Sequence, residues 1–155
     1  MLRRLPAWAF QRMMNWWPPF RGAGIRVRSI APDWSAASVE LRLGRLNRNA
    51  VGSHFGGSLY TMTDPFYALM LLHRLGPGYH VWDHSAAIEY LKPGRGTVTA
   101  HFELGDAELE RVRAAAGTGA KVLPDYVVEV HDRAGDVVAR VHKRLYVRRA
   151  AAASA

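Results

Sequence analysis

The chain has 155 residues, 49% of them hydrophobic and 22% charged, which is enough for one domain with its own core and ordinary for a globular protein. It carries a formal net charge of +8 and no cysteine, which excludes disulfides, thiolate metal sites and cysteine nucleophiles and fits a reducing compartment. No apolar run reaches the roughly 18–20 residues that span a bilayer, so no stable membrane insertion is expected, and the expected location is cytoplasmic.

Residues 1–32 contain no acid, whereas Arg3, Arg4, Arg12, Arg21, Arg26 and Arg28 are basic. Trp8, Phe10, Met13, Met14, Trp16 and Trp17 add a large apolar surface. Such a start suits an organelle-targeting peptide, a helix on a membrane surface, or an ordinary helix packing its aromatics on the domain; the last is preferred. Residues 6–17 predict a helix with Pro6 in its first turn, stopped by Pro18-Pro19. The positive charge would attract nucleic acid, anionic lipid or the phosphates of coenzyme A, without choosing among them.

Strand patterns follow at 25–30 and 37–43, where Ala37, Val39, Leu41 and Leu43 alternate with polar residues. A polar loop at 44–52 carries Asn47 and Asn49. Residues 57–75 predict one long helix, closed by Gly76-Pro77-Gly78 and apolar on nearly every face, hence buried on nearly every face. Further strands are expected at 80–91, ended by Lys92-Pro93-Gly94, and at 97–104. Residues 106–116 have a helical pattern with Asp106 as N-cap. Residues 121–131 and 136–148 pair as a hairpin across Asp132 to Gly135. In the last strand Val137, Ala139, Val141, Leu145 and Val147 share one face, and Arg140, His142, Arg144 and Arg148 the other. That basic face reads as a solvated outer sheet face, and no nucleic-acid partner is expected. The order suggests an antiparallel sheet curled around a central helix, with sequential pairing of strands. One domain spans 1–149, with 1–20 an N-terminal helical segment and 150–155 a fraying Ala-rich tail.

Asp64 sits in the otherwise apolar run from Leu59 to Leu72, and a carboxylate there is expensive unless paired or used. Upstream, Gly56-Gly57 marks the start of the same helix. Glycines let backbone N–H groups approach a substrate closely, and the helix dipole favours negative charge there. Free N–H groups and one carboxylate are the parts needed for acyl transfer. Asp64-Pro65 is also a good N-cap pair for the second half of a kinked helix, Gly56-Gly57 can be a tight turn, and Asn49 can be a turn residue. His73, His80 and His84 do not match a metal-ligand spacing; neither a metal nor a cofactor is expected.

The run from Asn49 through His54, Phe55, Gly56 and Gly57 to Asp64 resembles the hotdog-fold thioesterases of the PaaI type. Asn49 falls seven residues before Gly56 and Asp64 seven after Gly57, as in that family, and the run from Ser85 to Gly94 looks like its strand after the helix. Closer still is an uncharacterised bacterial branch of the hotdog superfamily, some of whose members are labelled tetrameric acyl-CoA thioesterases. It fits from about Trp16 to Arg149, including the Trp-Pro-Pro-Phe-Arg-Gly opening and the Asp-x-x-Gly hairpin. The resemblance implies an α+β hotdog fold, an antiparallel sheet wrapped around a long central helix, here with an extra N-terminal helix. It implies an acyl-CoA thioesterase that self-associates as a dimer or tetramer, with the helix start and Asp64 meeting across a subunit interface. Asp64 would be base or nucleophile, Gly56 and Gly57 the oxyanion donors, and Asn49 the residue that orients water or the substrate carbonyl. His54, Phe55, Asp83, Ser85 and Phe66 would contact substrate, and Met62, Phe66, Tyr67 and Met70 would set tunnel depth. Phe55 stands where the family has His, with His54 displaced by one residue. That departure motivates the alternative of a non-catalytic acyl-CoA or fatty-acyl binding protein.

Overall fold

The computed structural model describes residues 5–150; the expectations for residues 1–4 and for the tail at 151–155 lie outside them. Two helices open the chain, α1 (Ala7–Trp16) and α2 (Pro18–Ala23). Pro6 is the N-cap of α1, and Pro18-Pro19 both end that helix and begin the next, since neither needs an N–H bond in a first turn. Then come β1 (Ile25–Ile30), β2 (Ala36–Arg42), α3 (Gly56–Thr61), α4 (Phe66–Leu75), β3 (Tyr79–Tyr90), β4 (Thr97–Glu103), α5 (Asp106–Gly117), β5 (Asp125–His131) and β6 (Val137–Arg149).

The strands form one six-stranded antiparallel sheet in the order β1-β2-β4-β5-β6-β3. Pairing is therefore not sequential throughout, which corrects the expectation. The helical segment after β2 crosses the sheet and delivers β3 to the far edge, against β6, while β4 returns to pair with β2. Two boundaries also shift. Gly105, not Asp106, is the N-cap of α5, because Asp106 instead reaches Arg74. The strand expected from residue 121 begins at Asp125, after Pro124, leaving Val122 as a lone bridge to Val147.

The central helical segment fills the concave face of the sheet. Phe66, Tyr67, Met70, Leu71 and Leu75 are buried against inward side chains such as Val39, Val98, Phe102, Val130 and Leu145. Phe66 lies 4.8 Å and Tyr67 5.4 Å, ring to ring, from Phe102. The outer face is polar, and acids from neighbouring strands pair with the basic residues of β6: Arg140 with Glu129 and Glu89, His142 with Glu89, and Arg144 with Asp125.

The two edges of the sheet differ. At β1, Gln11 and Asn15 of α1 act as a substitute strand. Asn15 accepts from the Val27 N–H (2.8 Å) and donates to its carbonyl (3.0 Å), and Gln11 donates to Arg28 O (2.7 Å). β3 pairs with β6 on one side, and among the described residues no strand pairs with its other side. This 12-residue edge strand is exposed from Trp82 to Ala87, the kind of edge that proteins otherwise cover or blunt.

Candidate functional site

The long central helix is broken in its middle. Pro65 has no N–H to give, and the chain tightens through residues 62–65, with Thr63 N–H bonded to Tyr60 O (2.9 Å) and Asp64 N–H to Thr61 O (3.4 Å). The break turns Asp64 outward. No side chain caps α4, so Asp64 does not serve as its N-cap.

Nor does Asp64 lie in oily surroundings, as its sequence neighbours suggested. Its carboxylate accepts from Lys143 Nζ (3.0 Å), its side chain is 43% exposed, and its main-chain carbonyl accepts from the same nitrogen at 2.6 Å. Lys143 donates to Asp83 as well, at 2.7 Å. An ammonium has three protons, and these three acceptors take them all. Tyr60 completes the cluster, with Lys143 Nζ 5.5 Å from its ring centroid. Burial raises the Tyr60 pKa, and the Asp64 carboxylate hydrogen-bonded to it works in the same direction. Burial of Lys143 works against its charge, but the hydrogen bond to Asp83 and the field of Asp64 outweigh it and hold its pKa above the ordinary value.

Lys143 is the functional candidate that the sequence reading passed over. It occupies the inward register of β6, between Val141 and Leu145, where an unbroken apolar stripe would leave no room for a charge. That gap in the alternation was the available signal. Asp83 reaches Lys143 because a β-bulge between Asp83 and Ser85 shifts the strand. Beyond the bulge the parity changes: Ser85 sits opposite Arg144, on the outer face with it, so Ser85 is not brought to the cluster.

The glycine pair belongs to a different place. A cleft of about 560 Å³ is lined by Asn49, His54, Phe55, Gly56, Gly57 and Tyr90, with the 91–94 turn as its far wall. No side chain caps α3, and the first backbone bond into it is from Ser58 N–H to Phe55 O (2.9 Å), so among the described residues no acceptor takes the N–H of Gly56 or Gly57. A side chain at either glycine would collide with an aromatic ring: a Cβ on Gly56 would lie 2.8 Å from Tyr90 Oη, and one on Gly57 2.4 Å from the Phe55 ring.

His54 is buried, its backbone N–H bonded to Gly94 O (3.0 Å) and its Nε2 to Gly96 O (3.1 Å). Because a carbonyl only accepts, Nε2 carries the proton, leaving Nδ1 a bare acceptor with no partner. Burial lowers the His54 pKa, against the raising effect of the Gly96 bond. Both ends of the Asn49 amide are committed: it donates to Ser53 Oγ and His54 O and accepts from the N–H of Val51 and Ser53. Phe55 is 58% exposed at the mouth of the cleft. Phe66 is 1% exposed. The tunnel expected of Met62, Phe66, Tyr67 and Met70 is filled by the core packing of those same side chains.

One chain therefore brings together Asp64 and Asp83 through Lys143, and separately Asn49, His54, Phe55, Gly56 and Gly57 around a cleft. Asp64 is not part of that cleft's wall. Among the described residues no group of His, Cys, Asp and Glu is placed to hold a metal ion.

Comparison with known proteins agrees on the fold. A protein of unknown function and probable thioesterase from Pseudomonas aeruginosa superposes with a TM-score of 0.83 at 18% identity, over 94% of this chain and 97% of that one. A thioesterase from Haemophilus influenzae gives 0.69 at 13% identity over 100% of both chains. The Escherichia coli PaaI protein from the phenylacetic acid degradation operon gives 0.60 at 18% identity, over 90% of this chain and 89% of that one. No curated protein matches the chain. The chain has the hotdog fold and belongs to the family described as Domain of unknown function (DUF4442), which matches it over residues 6–147.

Proposed function

We propose that the protein hydrolyses acyl-CoA thioesters at a site built by two copies of the chain. The observation that carries this reading is a separation. The cleft holding the free N–H groups of Gly56 and Gly57 has no acid in its wall, while Asp64 stands outside it, half exposed, beside the uncovered edge strand β3. Each half of an acyl-transfer site is present and neither is complete alone. A second copy paired along β3 would bring its Asp64 to the first copy's glycines.

In that arrangement the thioester carbonyl oxygen accepts from the Gly56 and Gly57 N–H groups, which stabilise the negative charge of the tetrahedral intermediate. A water oxygen adds to the carbonyl carbon and the C–S bond breaks; the sulfur leaves as a thiol with one proton from water, and the acyl group leaves as an acid. Asp64 serves either as the base that takes the water proton or as the nucleophile whose acyl-enzyme water then cleaves. Lys143 and Asp83 fix the direction of its carboxylate. Asn49, with its amide fully used, acts by holding the His54–Phe55 turn from which the donors project. The net positive charge favours the CoA phosphates.

Phe55 and Tyr90 favour a second reading, in which acyl-CoA is bound without turnover, because two aromatic rings stand against the donors. One experiment separates the two. With a panel of short, long and aromatic acyl-CoA thioesters, wild type should turn over, and Asp64→Asn should lose about 100-fold or more in kcat while melting as a folded protein. Equal turnover by Asp64→Asn removes the proposed role. Binding by wild type without turnover on every substrate selects the second reading.

A further inference from the structure

The α1–α2 face carries a second surface that the proposed hydrolysis does not use. Trp8, Arg12 and Trp16 follow one another at helical spacing along the exposed side of α1, and Trp17 continues the line. Trp8 is 64%, Trp16 70% and Trp17 45% exposed, although burying large aromatics is among the strongest drives in folding. Beneath Trp16 and Trp17 runs an apolar groove of about 590 Å³, walled by Met13, Met14, Pro65 and Leu69. On its other side Trp16 also borders a cavity of about 530 Å³ lined by Arg21, Arg26 and Arg42, and the Arg21 guanidinium lies 4.6 Å over the Trp16 ring. Glu40 pairs with Arg28 and Arg42. Among the described residues no acid pairs with Arg12, Arg21 or Arg26, and residues 1–32 contain none.

We propose that this face docks the protein on an anionic phospholipid surface. Indole rings, apolar in body with one N–H donor, settle at the level of lipid headgroups. Arginines ringed around them pair with phosphates, and Glu40, the acid opposite Arg26 on the neighbouring strand, is already held by Arg28 and Arg42. The groove supplies apolar surface for the outer part of an acyl chain. Docking of this kind is peripheral: no helix among the described residues is long and apolar enough to cross a membrane.

The test needs no turnover, so it stands or falls apart from the thioesterase reading. Wild type is sedimented with vesicles of phosphatidylcholine containing phosphatidylglycerol, and with phosphatidylcholine alone. Binding to the anionic vesicles should be about tenfold or more tighter, should weaken with salt, and should shift tryptophan emission to the blue. Arg12→Glu/Arg21→Glu should cost about tenfold or more, while Lys121→Glu/Arg148→Glu, which changes the net charge equally beside β6, towards the opposite end of the strand order from β1, should cost little. Trp16→Ala/Trp17→Ala should lose both binding and the blue shift. The proposal is overturned if wild type stays in the supernatant with anionic vesicles at low salt, or if the two charge reversals are equally damaging. It is also overturned if vesicles are ignored while the tryptophan variant changes the particle size, since a second copy then covers this face.

Discussion

Lys143 has no exposed side-chain surface, yet it keeps its charge because its ammonium donates hydrogen bonds to the carboxylates of Asp64 and Asp83. A buried cation that loses its partners costs about 3–5 kcal/mol, whereas carboxylates that reach water are cheap to leave alone. Asp64→Asn and Asp83→Asn should therefore each cost about 1 kcal/mol in urea denaturation, since the remaining acid still pairs with the ammonium. The double variant strands Lys143 and should cost about 3–5 kcal/mol, more than the sum. Additive costs would mean that the three groups do not act as one unit. For the same reason Lys143→Met should cost only about 1–2 kcal/mol, because the two carboxylates it leaves behind are partly hydrated. Asp64 could be singled out in the sequence as a carboxylate among apolar residues. Its partner could not be named, because the contact joins residues 79 positions apart and a local pattern shows only that Lys143 breaks an apolar stripe.

At the scale of elements, His54 joins the loop before α3 to the turn before β4, through Gly94 and Gly96. Burial lowers its pKa below the ordinary 6.5, so the unfolded chain takes up a proton at higher pH than the folded one. The stability that neutral His54 contributes is then fully present above about pH 6.5 and is lost as pH falls through the window below it. Melting temperature should drop as pH is lowered from about 7 to about 5, and His54→Gln should flatten that slope. An unchanged slope would place the pH dependence elsewhere. The helices and most strands were legible because their periodicity is local. The interruption of the central helix was legible only as a kink at Pro65, and the outward turn of Asp64 needed coordinates. Asp83 and Ser85 were both site candidates in the sequence. The bulge between them, invisible in side-chain alternation, sends one inward and the other to the outer face.

For the whole molecule, the sheet is finished at one edge and unfinished at the other. Asn15 and Gln11 occupy the N–H and carbonyl of Val27 and the carbonyl of Arg28 in the middle of β1, while among the described residues β3 offers a long open edge next to Asp64 and Asp83. The hotdog fold followed from the resemblance around Gly56-Gly57 and from one apolar helix among antiparallel strands. The strand order did not, since placing β3 beside β6 depends on where the helix crosses the sheet. The expected tunnel between helix and sheet is not open, because Met62, Phe66 and Met70 are buried in the core there. In the proposed site the donors of one copy work with the acid of another. Asp64→Asn and Gly57→Val, the latter meeting the Phe55 ring, should each be inactive alone on an acyl-CoA substrate that wild type hydrolyses. When the two variants are unfolded together and refolded as a mixture, hybrid assemblies should recover activity, since one of their composite sites has both an intact acid and intact donors. A mixture as inactive as its parts, with hybrids shown to form, would contradict the shared site.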